Sequence, residues 1–293
     1  MQPGQFFTEY LDSLPKLKKL IHIADYLIAE KTAAKFRAQG VLFALPPGGM
    51  LTDRKMKTID GSILRPPYKY TILEYVPLPG PVPVGEIPCP KRIVLAVDLG
   101  DTVHILPCIY NGKEGRWIPH MYMGVINLRD GNVLYMKDNA VNLKVKYTYC
   151  LPKLVEANMA QWLGSKDSFF QRVCEDLRDE VNAYVDFCYA LHTREVTFDD
   201  VEPDAANNRM RRARGKVPLF TYKVLTIGKK KRKARHLGGT HASPRSHLRR
   251  GYYRTSKNGL RHWVQPCMVK GGTDGFVHKD YRVEAPELEG ADQ

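Results

Sequence analysis

Between Ala205 and Thr273 the chain has no aspartate and no glutamate, although that stretch carries 19 lysines and arginines. The full 293 residues hold 45 basic and 31 acidic side chains, which leaves 26 basic against 31 acidic outside the stretch, a net of −5. The formal charge of +14 therefore belongs to one segment attached to a slightly acidic body. Self-repulsion on that scale favours an anionic neighbour. Other absences narrow the class further. The six cysteines, Cys89, Cys108, Cys150, Cys174, Cys188 and Cys267, form no Cys-x-x-Cys pair. That pattern argues for reduced, buried thiols rather than a disulfide frame. No run approaches the ~18 apolar residues of a membrane helix. The opening MQPGQFFTEYLDSLPKLKK carries acids and lacks an apolar stretch with a cleavage site, unlike a secretory leader. No internal repeat, heptad, helix-turn-helix or Arg-Gly-Gly array is present. With 43% hydrophobic and 10% aromatic residues there is material for a core. The expectation is a globular, cytoplasmic protein with no cofactor and no membrane partner.

Periodicity gives an α+β fold class. Leu17, Leu20, Ile21, Ala24, Leu27 and Ile28 repeat at helical spacing after Pro15, predicting an N-terminal helix stopped near Gly40 with that stripe buried. Residues 46–91 are rich in proline and glycine and read as a long connection around one strand, Tyr70 to Val76. Arg92–Leu99 and Thr102–Tyr110 read as a hairpin about Gly100–Asp101, and Trp117–Asn127, Val133–Lys137 and Leu143–Tyr149 extend it into an antiparallel meander. Asp98 and Asp101 resemble a metal-holding carboxylate pair, but the turn alone explains Asp101, and no metal is expected. Helices follow at Lys153–Leu163 and from about Asp167 to Leu191, the second capped by Ser165 or Ser168. Its stripe runs through Phe170, Val173, Cys174, Leu177, Val181, Tyr184, Val185, Cys188 and Leu191, so these C-terminal-side helices pack on the meander. The charge step after Asp204 divides the chain into a 1–204 body, a candidate peptide-binding unit whose contact residues sequence does not identify, and a small, basic, β-rich 205–293 region. Strands are expected there at Pro218–Thr226, Leu260–Val269 and Phe276–Val283.

A charge run is most often a solvated face. Sixty-nine acid-free residues interleaved with aromatics point instead to phosphates and unpaired bases, so RNA is the expected ligand. The candidate nucleic-acid contacts are Arg211, Arg212 and Arg214, then Lys229, Lys230, Lys231, Arg232 and Arg235. Arg245, His247, Arg249, Arg250, Tyr252, Tyr253, Arg254 and Trp263 complete the set. Histidine beside arginine is also the apparatus of a metal-independent ribonuclease, with His241 or His247 as the proton carrier. The alternative is that these residues pair with backbone and with one another's rings in a basic turn, and non-catalytic binding is the expectation. Zinc held by His236, His241, His247, Cys267 and His278 has no ligand spacing to support it.

His247–Leu248–Arg249–Arg250–Gly251–Tyr252–Tyr253–Arg254, followed by Trp263–Val264–Gln265–Pro266, resembles a C-terminal signature of phage and plasmid proteins, His-Trp-Arg-Arg-Gly-His-Trp-Arg. That group includes the second type V-A anti-CRISPR family. His247, Arg249, Arg250, Gly251 and Arg254 match it, whereas Leu248 and Tyr252 depart and Tyr253 keeps only aromatic character. The resemblance implies an anti-defence protein that recognises a polypeptide and lowers its messenger RNA in a translation-dependent way. The implied partners are the N-terminus of a CRISPR nuclease, or another host or defence protein, together with RNA or the ribosome. A plain nucleic-acid-binding regulator of a mobile element is the further alternative.

Overall fold

The computed structural model describes the backbone of residues 4–51, 57–78, 88–129, 133–137, 140–142, 146–161, 164–192, 196–227, 247–249, 252–255, 261–264, 267–269 and 281–284. The chain begins with α1 (Phe6–Leu17) and α2 (Ile23–Gln39), then β1 (Val41–Ala44), β2 (Lys57–Asp60) and β3 (Tyr70–Tyr75). Next come β4 (Arg92–Asp98), β5 (Thr102–Asn111), β6 (Arg116–Pro119), β7 (Tyr122–Asn127), β8 (Val133–Lys137), β9 (Ala140–Asn142) and β10 (Lys146–Tyr149). Helices α3 (Pro152–Gln161) and α4 (Lys166–Leu191) precede β11 (Val196–Val201), α5 (Ala205–Ala213) and β12 (Tyr222–Ile227). The last strands are β13 (His247–Arg249), β14 (Tyr252–Thr255), β15 (Arg261–Val264), β16 (Cys267–Val269) and β17 (Tyr281–Glu284). The fold is α+β.

Ten strands share one sheet in the order β10-β7-β5-β4-β3-β1-β17-β12-β11, with β6 also paired to β5. In one half, β4, β5, β7 and β10 belong to the antiparallel meander that alternation predicts, and β3 extends it on the β4 side. The other half is not antiparallel throughout: β1 runs parallel to β3 and to β17, and β12 runs parallel to β17. Parallel pairs are buried on both faces, and all four residues of β1 are buried. Period-two alternation then divides the side chains between two cores. Val41, Phe43, Leu73, Val94 and Ala96 pack with the α4 stripe of Val181, Tyr184, Val185, Phe187 and Cys188. Leu42, Ile72, Ile93 and Leu95 pack on the opposite face with α1 and α2. Each fully buried large side chain is worth roughly 1.5–3 kcal/mol, so the two layers hold the sheet from both sides.

Several expectations need correction. The N-terminal helix is two helices: after Leu17 the N–H groups of Lys19 and Leu20 turn back to the carbonyls of Lys16 and Leu17, and His22 Nδ1 then caps α2 by accepting from Ala24. The stripe Leu20, Leu27 and Ile28 faces outward, and α2 buries Asp25, Tyr26, Ala29, Ala33 and Phe36. The inward face is chosen by fit rather than by apolarity. Its alanines admit the sheet closely, Phe36 meets Tyr70 edge-on at 5.2 Å, and Asp25 accepts the Leu154 N–H at 2.6 Å to cap α3. The segment 117–127 divides into β6 and β7, both lying along β5. β8 leaves the meander for a small sheet with β2 and β9, and β2 lies inside the proline-rich stretch. Strands from both sides of the 204/205 charge step share the large sheet, because β11 pairs with β12 along their whole length. Among the described residues, no helix is long and apolar enough to cross a membrane.

Candidate nucleic-acid interface

The acid-free segment opens as helix α5. Asp204 caps it, accepting from the N–H groups of Ala206 and Asn207 at 3.1 and 3.2 Å. Gly215, at φ +67°, closes it in the left-handed conformation that a side chain resists. Two devices fix the helix on the body. Asn208 exchanges two hydrogen bonds with the backbone of Leu219. Arg211 donates Nε to the Val217 carbonyl at 2.8 Å and Nη2 to Asp12 of α1 at 2.6 Å, while Asp12 also accepts the Val217 N–H at 2.9 Å. Arg211 is thus engaged within the fold, unlike the free phosphate contact expected of it.

Arg209, Arg212, Arg214 and Lys216 are exposed and form no ion pair among the described residues. Arg212 and Arg214, both candidates from sequence, are exposed. Arg209 and Lys216 are additional, and the signal that finds them is the Asp204 cap followed by nine helix-compatible residues, which places Arg209 and Arg212 one turn apart. Arg209 and Arg212 lie on α5, Arg214 is its C-cap and Lys216 follows Gly215, in a segment anchored to α1 through Asp12.

Of the remaining candidates, His247 and Arg249 lie on β13, Tyr252, Tyr253 and Arg254 on β14, and Trp263 on β15. His247 opposes Val269 and Arg249 opposes Cys267, whereas Tyr252 opposes Val264, Tyr253 opposes Trp263 and Arg254 opposes His262. The two ladders are separate two-stranded sheets with the same antiparallel register. Lys229, Lys230, Lys231, Arg232, Arg235, His241, Arg245 and Arg250 lie outside the described residues, as do His236 and His278.

Several ionisable groups elsewhere are paired. Asp98 pairs with Arg65 at 2.9 Å and Asp101 with Arg129 at 2.6 Å, which accounts for both carboxylates at the β4–β5 turn without a metal. No cluster of three metal-ligating side chains occurs among the described residues. A groove of about 440 Å³ lies between α1 and the β5–β6 hairpin. Its carboxylates Glu9, Asp12 and Glu114 already hold Lys91, Arg211 and Arg116. Cys150 donates its thiol to the His120 carbonyl at 2.9 Å, and burial pushes that thiol up to about 12, which keeps it protonated and unsuited to nucleophilic attack.

No family model matches the chain, nor does any curated protein or solved structure.

Proposed function

We propose that this is an anti-defence protein of a phage or plasmid, acting in the host cytoplasm. In this reading it recognises a target polypeptide and lowers its expression through a basic surface that faces RNA or the ribosome. The observation that carries the RNA half is the set of four exposed cations, Arg209 and Arg212 on α5 with Arg214 and Lys216 at its C-terminal end, none of them in an ion pair among the described residues. The resemblance of residues 247–254 to the anti-CRISPR signature supports the same reading. Binding without catalysis is favoured over a ribonuclease, because histidine and arginine residue types alone do not supply a catalytic geometry.

Substitution tests this better than truncation, since β12 and β17 are part of the large sheet. Arg209→Ala, Arg212→Ala and Arg214→Ala together are expected to weaken binding to single-stranded RNA. If each arginine neutralises one phosphate, the slope of log affinity against log salt flattens by about 2. Arg211→Ala is expected to act differently, lowering the melting temperature while leaving that slope nearly unchanged. Salt-titrated fluorescence anisotropy with the full chain checks both, and an unaltered slope in the triple variant would remove α5 from the interface.

A further inference from the structure

The outward stripe of α2 is an apolar surface that the fold leaves uncovered. Leu20, Ile23, Leu27 and Ile28 are 51%, 48%, 53% and 39% exposed. Ile23 and Leu27 lie one turn apart on the same helix face, and Leu20 continues the row toward the groove between α1 and β6, which it also lines. Contiguous exposed aliphatics of this kind mark interaction sites. The rim is predominantly basic. Lys16, Lys19, Lys31 and Lys35 are exposed and form no ion pair among the described residues. The acid on the outer side of α2, Glu30, accepts a hydrogen bond from Tyr26 at 2.6 Å. On neighbouring α3, Lys153 and Glu156 neutralise each other.

We propose that the outer face of α2 docks a short helical segment of another polypeptide, one with an aliphatic stripe flanked by acidic residues. The mode is helix against helix: anchors at i, i+3, i+4 and i+7 meet Ile23 and Leu27, and glutamate or aspartate flanks meet the lysines. Two features argue against a second copy of this chain. Its lysines would face these lysines, and like charges across an interface are unfavourable. Four half-exposed aliphatic side chains also offer far less than the ~800 Å² per partner of a stable dimer. This inference rests on the polypeptide-recognition half of the proposed function and is independent of the RNA half.

The test uses the full chain and a labelled 18-residue designed helix with leucine at i, i+3, i+4 and i+7 and glutamate on its flanks. A version with lysine in place of each glutamate serves as control. The glutamate peptide is expected to bind at least tenfold more tightly than the lysine peptide, and more tightly at low salt. Ile23→Glu with Leu27→Glu is expected to reduce its affinity more than tenfold with the melting temperature unchanged, since both side chains already meet water. Lys31→Glu with Lys35→Glu is expected to reverse the preference between the two peptides. Equal binding of both peptides, binding of neither, preference for anionic phosphatidylglycerol vesicles over the peptide, or a dimer abolished by Ile23→Glu with Leu27→Glu would each overturn the proposal. RNA affinity measured on the same proteins separates the two readings. Peptide binding without RNA binding leaves the docking surface standing and removes the RNA half, and the converse removes the docking surface alone.

Discussion

Replacing Arg92 with methionine is expected to destabilise the protein by about 3–5 kcal/mol, the cost of leaving a buried charge without its partner. Glu180 of α4 is 1% exposed, and its carboxylate lies 3.0 Å from the Arg92 guanidinium on β4. Burial works against the arginine's charge, yet Glu180 holds the guanidinium above its usual range. The pair crosses from the sheet to the long helix, so breaking it leaves a carboxylate in an apolar layer. Adding Glu180→Leu to Arg92→Met is expected to recover most of the loss, because two well-packed apolar residues can replace a buried pair at little net cost. Urea unfolding of the wild type, both single variants and the double variant checks this. A single variant as stable as the wild type would show that the pair contributes nothing.

Glu74→Gln is expected to change how stability depends on pH. Glu74 lies on β3, and its oxygens accept the N–H groups of Gly4, Phe6 and Phe7 at 2.6, 3.1 and 2.6 Å, capping the start of α1. Burial pushes this carboxyl from 4.5 up to about 7, against the three N–H bonds and with a further upward push from Glu9. The folded chain holds this proton more tightly than the unfolded chain does. Its contribution is therefore fully present below about pH 4.5 and is lost as the pH rises through about 7, roughly 3 kcal/mol at ~1.36 kcal/mol per pH unit. His120 slopes the other way. Burial, with the Arg92 charge, lowers it to about 4, so its contribution is lost as the pH falls from 6.5 through 4. The two oppose each other across the overlapping range and flatten the wild-type profile. In the Gln variant the Glu74 contribution is gone and the His120 slope is no longer opposed by it. The stability of the variant relative to wild type is expected to rise by about 3 kcal/mol between pH 4.5 and 7.5. A constant difference across that range would show that Glu74 does not titrate there.

Local signals in the sequence carried much of this fold. The β4–β5 hairpin follows from alternation around a glycine, and Gly100 indeed takes φ +93°. The α4 stripe and its Ser165 cap were equally legible. What escaped was set by distant partners. A strand's own residues do not say whether β17 joins β1 or another strand, since parallel pairing closes a long loop. The outward turn of α2 was hidden because its most apolar residues are not the ones that fit the sheet, and because Asp25 has an occupation on α3 that only the tertiary structure shows. The basic segment was legible as charge but not as geometry. Arg211 and Arg212 are neighbours in sequence, yet one is locked to Asp12 and the other stands in water.

The placement of β17 has a consequence for the order in which the molecule is made. This strand lies between β1 and β12, hydrogen-bonded to both. Until residues 281–284 have left the ribosome, the β11–β12 hairpin has no strand to join it to β1, and the sheet stands open at its middle. The meander, built from contacts close in sequence, has no such dependence and is expected to form first, as low contact order favours. Insertion of β17 therefore joins two parts of the sheet that precede it in the chain. A nascent chain stalled short of Tyr281 would present two unpaired strand edges, β1 and β12, to whatever is nearby.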